Sequence, residues 1–310
     1  VGLKTNDFVT PEIPVGRLAA VTPADVTNYL AKVIQHESPL TGPTETHDWK
    51  KHVLHFAGGI DQPQQLMLEG FLNIYKGIIQ DTSFGGIVYD FKKTTSAPIQ
   101  ITISDSVKNH FSYGASLVTF FGHGSPVGFD LSIDDPNAYN NAGKYPLFIA
   151  NSCYSGNIHN YNVFSTSERF VLANQKGSIA FLAASSLGFV STLHFYTENI
   201  YKGLSYTKYN KSIGEIIRDA CYNSSFIPDP LYPFTAMDMT LHGDPALKIS
   251  PGALPDYAIH NTSVKFDTKS TVDQIGITIY TDNIGRAIKD SIIVRVERYF
   301  PTGDSTTIFK

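Results

Sequence analysis

Short apolar runs alternate along this chain with stretches of helical periodicity. Residues 117–121 (LVTFF) and 145–151 (YPLFIAN) are apolar without polar alternation, and so are 53–59 (VLHFAGG) and 177–186 (GSIAFLAASS), with a further short run at 85–91 (GGIVYDF). Runs of this length without alternation predict strands buried on both faces. Between them, Val26, Tyr29, Leu30, Val33 and Ile34 recur at helical spacing after a Thr22-Pro23-Ala24-Asp25 start. That start offers a cap, a proline suited to the first turn and an acid at the positive helix end. Leu66, Leu68, Phe71, Leu72, Tyr75 and Ile79 give a second helix over 64–79. Segments 104–111, 165–174, 192–204 and 212–222 predict four more, the last opened by a Ser212/Glu215 capping box. Residues 8–21 read as extended, and 38–48 and 128–143 as loops. Strands alternating with helices predict an α/β fold, a mostly parallel sheet with helices on both faces, in which active residues gather at the strands' carboxyl ends.

The pattern changes near residue 250. After a Pro/Gly linker, VKFDT, IGITIYTDN, SIIVRVERYF and STTIFK alternate with period two. That predicts a small antiparallel β-sandwich, with about four strands where a full sandwich has roughly seven. The expected domains are therefore 1–250 and 251–310, the second either small or cut short.

Composition narrows the function classes. With 42% hydrophobic and 17% charged residues the chain is too apolar for disorder. Its net charge of −4 and lack of a Lys/Arg run remove the electrostatic footprint of a nucleic-acid binder. No apolar run is long enough to span a membrane. The opening VGLKTNDFVTPEIP has neither an initiator Met nor a leader, and reads as the middle of a longer protein. Two cysteines, Cys153 and Cys221, exclude a disulfide scaffold and a four-Cys metal site, while leaving a single bridge between them open. No HExxH, P-loop, GxGxxG or GxSxG pattern occurs.

The two central runs carry the candidate chemistry. The first ends in Gly122-His123-Gly124-Ser125, the second in Ser152-Cys153-Tyr154-Ser155-Gly156. If these strands are neighbours, an imidazole meets a thiol. A thiol needs such help, because its anion is the nucleophile and an adjacent base or N–H donors must favour that form. Gly124 lets the backbone approach a substrate, so its N–H and that of Cys153 could hold a developing oxyanion. The competing reading of Cys153 is a buried core thiol.

FFGHGS, followed after a loop by YPLFIANSCYSG, resembles the His-Gly and Cys boxes of the gingipain-type cysteine peptidases, family C25 of the caspase-like clan. PEIPVGRLAAVTPADV, RFVLANQKGSIAFLAASS and LHGDPALKI resemble further stretches of that family, over roughly residues 8–250. The Gly243-Asp244-Pro245 element is similar to the branch that removes signals from proteins exported by the type IX secretion system. The resemblance implies an endopeptidase with a polypeptide substrate, secreted or held at the surface of a Gram-negative bacterium, with other secretion-system proteins as partners. It implies that Cys153 is the nucleophile, His123 the general base and acid, and the Gly124 and Cys153 N–H groups the oxyanion hole. From PDYAI onward the chain resembles the immunoglobulin-like domain that often follows.

The family often carries an acid after an early strand to orient the histidine. Here that loop is GGIDQPQQ, and Asp61 is the only carboxylate near it, a solvated turn being its alternative role. Without a firm orienting acid, a weakly active platform that binds partner proteins is the alternative function. His55, inside its strand, reads as a core histidine. Asp130, Asp134 and Asp135 are the candidates for a pocket that receives a basic side chain, with a hydrophilic surface loop as their competing reading. No cofactor is called for; a structural calcium on those acids is the one metal left open.

Overall fold

Six strands build the central sheet: β1 His52–Ala57, β2 Ile87–Lys92, β3 Leu117–Phe121, β4 Leu147–Asn151, β5 Ala180–Ala184 and β6 Met239–Gly243. The computed structural model describes residues 2–5, 8–39, 47–80, 83–101, 104–160, 163–259, 261–267, 275–303 and 305–309, so most of the loop expected over 38–48 lies outside the described residues. The spatial order is β6-β5-β4-β3-β1-β2. The first five strands pair in parallel and β6 runs antiparallel to β5.

Every residue of β1, β3, β4 and β5 is buried. Successive side chains leave opposite faces of a strand, so these runs feed two cores. Val53, Leu117, Ile149 and Leu182 face α2 (Gln62–Ile79), α5 (Val190–Lys202) and α6 (Ile213–Ser225). Leu54, Val118, Phe148 and Phe181 face α1 (Pro23–Glu37), α3 (Asp105–Tyr113) and α4 (Thr166–Leu172). The expected caps form: Thr22 and Asp25 close a capping box on α1, and Ser212 and Glu215 another on α6. Lys32 on α1 is 1% exposed, and its ammonium donates to the carbonyls of Phe170, Val171, Ala173 and Lys176 where α4 ends. One cation there satisfies carbonyls that the helix cannot, and it ties α1 to α4.

In the sheet and the helices that cover it, α7 (Leu231–Asp238) and β6 go beyond the sequence pattern. Both are short, and β6 holds a buried histidine, His242, which masks its apolar character. Among the described residues, the C-terminal part consists of paired short strands, 257–258 with 282–283, 264–266 with 277–279, and 296–299 with 305–309. Of SIIVRVERYF only Val296–Tyr299 is strand. Ile293, in the alternating run before that strand, is 77% exposed.

One topological feature positions the site. The chain steps from β1 outward to β2, then returns to lay β3 on the other side of β1. The segments leaving β1 and β3 therefore part, and such a switch point opens a crevice at the strands' carboxyl ends.

Candidate active site

Three loops meet at that crevice: Gly58-Gly59-Ile60-Asp61 after β1, Gly122-His123 after β3 and Ser152-Cys153 after β4. Phe121 pairs with Asn151 in register, and Gly122 N–H donates to the Asn151 carbonyl at 3.2 Å. His123 and Cys153 are each two residues beyond that shared rung, so the imidazole and the thiol leave neighbouring strands at one level. Gly124 presses on the cysteine loop. A Cβ there would lie 2.7 Å from Ser152 Oγ and 3.0 Å from the Cys153 carbonyl, so no larger residue fits.

The two loops are fixed differently. The cysteine loop is held by backbone: Tyr154 N–H donates to Ser186 O at 2.7 Å and Gly156 N–H to Ala184 O at 2.9 Å. Tyr154 has φ 57, a left-handed conformation that is costly for a bulky residue and typical of strained functional turns. Cys153 is half-buried, and its Sγ accepts the Gly188 N–H at 3.4 Å, one residue before the N-cap of α5. The thiol in turn donates to the Gly188 carbonyl at 3.8 Å, so this residue before α5 fixes where the sulfur sits. Cys153 and Cys221 are both free thiols.

The histidine loop is a tight hairpin, Gly124–Ser125 against Gly128–Phe129, held by its backbone ladder and by the Ser125 and Asp130 side chains. Asp130 N–H donates to the His123 carbonyl at 2.9 Å, and ladder alternation then turns the Gly124 N–H away from its hairpin partner. Asp130 Oδ2 accepts the Gly59 N–H at 2.7 Å and lies 3.4 Å from the Lys93 ammonium. Both charges are buried, at 4% and 0% side-chain exposure. Asp130 thus belongs to a buried ion pair that clamps the β1 and β3 loops together, and neither a surface loop nor a free pocket acid describes it.

Asp61 is placed away from the imidazole. Its side chain accepts the Gln64 N–H at 2.9 Å and caps α2. The imidazole instead meets Gln64, with His123 Nε2 2.9 Å from Gln64 Oε1. The same oxygen accepts the Ile60 N–H at 2.8 Å. The one sequence signal for Gln64 is its place three residues after the cap, where a Gln reaches back over the helix start. His55 is a core histidine, 0% exposed, with Nε2 2.8 Å from the Tyr201 hydroxyl. Asp244 sits in a turn, where its N–H donates to the Tyr29 hydroxyl at 2.6 Å.

A cavity of about 340 Å³ opens beside His123 and Gly124, walled by Ile99, Val127, Phe129 and Asp134. Asp134 lies 3.8 Å from Arg169, and burial pushes its carboxyl up despite that cation. Asp135 caps a short 3-10 turn. Among the described residues no group of three His, Cys, Asp or Glu could hold a metal ion, and no helix is long and apolar enough to cross a membrane.

A sheet of this order with His and Cys on adjacent central strand ends defines a caspase-like α/β fold. The model of peptidase family C25 matches residues 2–250, and the chain belongs to that family. Among solved structures it is similar to the Arg-specific cysteine proteinase gingipain R, at 15% identity and TM-score 0.62, covering 83% of this chain and 63% of that one. It is similar to the complex of Porphyromonas gingivalis RgpB pro- and mature domains, at 16% identity and TM-score 0.64, covering 84% and 64%. A third structure, described only as a protease, matches at 14% identity and TM-score 0.62, covering 96% and 76%. At these identities the likeness is one of fold. The chain spans just under two thirds of the length of the first two. No curated protein sequence matches it.

Proposed function

We propose that the chain is a cysteine endopeptidase in which Cys153 and His123 form the catalytic dyad. The observation that carries this reading is the shared rung Phe121–Asn151, which sets the two residues at one level on adjacent strand ends of a C25 fold. The Cys153 sulfur attacks the peptide carbonyl carbon, and its proton passes to His123. Negative charge on the carbonyl oxygen is met by the Gly124 and Cys153 N–H groups. Collapse of that intermediate breaks the C–N bond, and His123 returns the proton to the departing amine. The resulting thioester is cleaved by a water that His123 deprotonates, which frees the acid and restores the thiol. The cavity beside His123 would receive a side chain next to the scissile bond. Its apolar wall and its engaged Asp134 favour apolar over basic side chains.

The finer assignment rests on sequence resemblance. The Gly243-Asp244-Pro245 element supports processing of proteins exported by type IX secretion, at the surface of a Gram-negative cell. The period-two alternation after residue 250 supports an immunoglobulin-like module. The inactive-platform alternative rests on the missing orienting acid; against it stands the contact of His123 Nε2 with Gln64 Oε1 at 2.9 Å. Digestion of a mapped peptide library by the wild type and by Cys153→Ala tests the reading. Cleavage should fall by roughly 10⁴-fold or more in the variant, and equal cleavage by both would overturn it.

A further inference from the structure

We infer that Gln64 is the residue that positions His123, and that it does so as a neutral amide in place of a carboxylate. The argument starts from an atom whose identity the hydrogen bonds settle. Ile60 N–H can only donate, and it points at a terminal atom of Gln64 from 2.8 Å. That atom is therefore the carbonyl oxygen and not the NH₂. His123 Nε2 lies 2.9 Å from the same oxygen, so Nε2 carries the hydrogen and donates it. In a neutral ring that leaves the lone pair on Nδ1. Nδ1 is then the nitrogen free to exchange a proton with the Cys153 thiol and with substrate. The bond to Gln64 also survives protonation, because the Nε2–H is present in both forms of the ring.

Gln64 is well held for this task. Its backbone N–H is bound by the Asp61 cap and its side-chain oxygen by Ile60 and His123, so both ends of the residue are fixed to the start of α2. The loop leading to it is fixed in turn by the Asp130 bond to Gly59. Asp130 also holds the His123 carbonyl through its own N–H, so one buried residue ties the positioner to the group it positions. The titratable groups on the elements packed about this loop are Asp61 at the α2 cap, Asp130 and Asp134 beyond the hairpin, Lys93 after β2 and Cys153 after β4, and each of Asp61, Asp130, Lys93 and Asp134 has its own partner. Among the described residues, Gln64 is the one hydrogen-bond partner of the imidazole.

An amide and a carboxylate do different things here. Both fix the tautomer and the ring plane. Only the carboxylate adds negative charge, which would favour the imidazolium. Gln64 therefore orients the ring without placing a charge of its own beside it.

The kinetic arm of the test rests on the peptidase reading; the spectroscopic arm does not. The full chain labelled with ¹⁵N-histidine is followed by long-range ¹H–¹⁵N NMR, with His123 assigned by comparison with His123→Gln. His123 should show the Nε2–H tautomer in the wild type and a mixture in Gln64→Leu. Gln64→Glu should keep the Nε2–H tautomer and raise the titration midpoint by about one unit. In peptide hydrolysis, Gln64→Leu should lower kcat roughly 10- to 100-fold with little change in KM. Gln64→Glu should recover most of kcat and move the histidine limb of the pH profile upward. The inference is overturned if folded Gln64→Leu keeps the wild-type His123 tautomer. It is equally overturned if both variants change only thermal stability, the outcome for a residue that merely finishes a helix cap. Should the wild type fail to cleave peptides, the peptidase reading falls while the tautomer still decides the role of Gln64.

Discussion

The chain carries its two kinds of reactive side chain in two contrasting regions. In the body of the fold, Cys221 lies on α6 at 5% exposure, its sulfur 3.6 Å from the Tyr196 hydroxyl, and burial pushes its thiol up. His242 lies within β6 at 1% exposure, and burial pushes its imidazole down to about 4. Both are thereby held neutral and inert. At the carboxyl edge of the sheet, Cys153 is half-buried under a backbone N–H and His123 is exposed with one amide partner. The residue types are the same and their surroundings are opposite. Inside an element the backbone is spent on its own ladder and the side chain is walled in. Where a strand ends, the backbone turns and presents N–H groups and side chains together.

Alkylation gives the largest effect that could break this contrast. With iodoacetamide near neutral pH, Cys153 should react roughly 1,000-fold faster than Cys221. A buried thiol reacts only through opening, and an opening free energy of about 4 kcal/mol sets that ratio. Site-resolved mass spectrometry over a time course measures both rates in one sample. Comparable rates would remove the distinction between the two regions.

The histidines give a smaller, pH-dependent effect. His242 has a folded value of about 4 against an ordinary 6.5. Between those values the unfolded chain binds a proton that the folded chain refuses. Stability is therefore full above about pH 6.5 and falls as pH drops toward 4, by up to about 3 kcal/mol. Chemical denaturation from pH 7 to pH 4 should show that loss, and His242→Leu should flatten it. His55 and His36, also pushed down mainly by burial, add in the same direction and leave a residual slope. An unchanged slope in the variant would show that the buried histidine does not resist charging.

Much of this arrangement is legible in the sequence because it follows local rules. Unbroken apolar runs mark the buried strands, and their abrupt ends mark His123 and Cys153. Thr22 and Ser212 announce their helices by capping chemistry. What stays hidden depends on long-range placement. Asp130 looks like a surface acid until Lys93, 37 residues earlier, is folded against it. Gln64 looks like an ordinary helix residue until the strand order brings β3 beside β1 and sets the start of α2 over the histidine. β6 is hidden because a five-residue edge strand carrying a histidine has too little pattern. The alternation after residue 250 is legible as strands, yet alternation alone does not say whether a second layer lies opposite.

The smallest effect concerns Asp61, the carboxylate that the chain offers nearest the expected position of an orienting acid. Its oxygen is spent on the Gln64 N–H, where it closes the first turn of α2. Removing such a cap costs about 1 kcal/mol, because an orphan N–H returns to water. Asp61→Ala should therefore lower thermal stability modestly and reduce kcat only severalfold, through slight loosening of Gln64. Asp61→Asn, which keeps an acceptor at the cap, should recover both. A residue that itself oriented His123 through its charge would behave otherwise. Its neutral replacement would cost far more in kcat than in stability, and the histidine limb of the pH profile would move. Measuring stability and pH profile on the same two variants separates these outcomes, since a cap is read in the melting curve and an orienting charge in the titration.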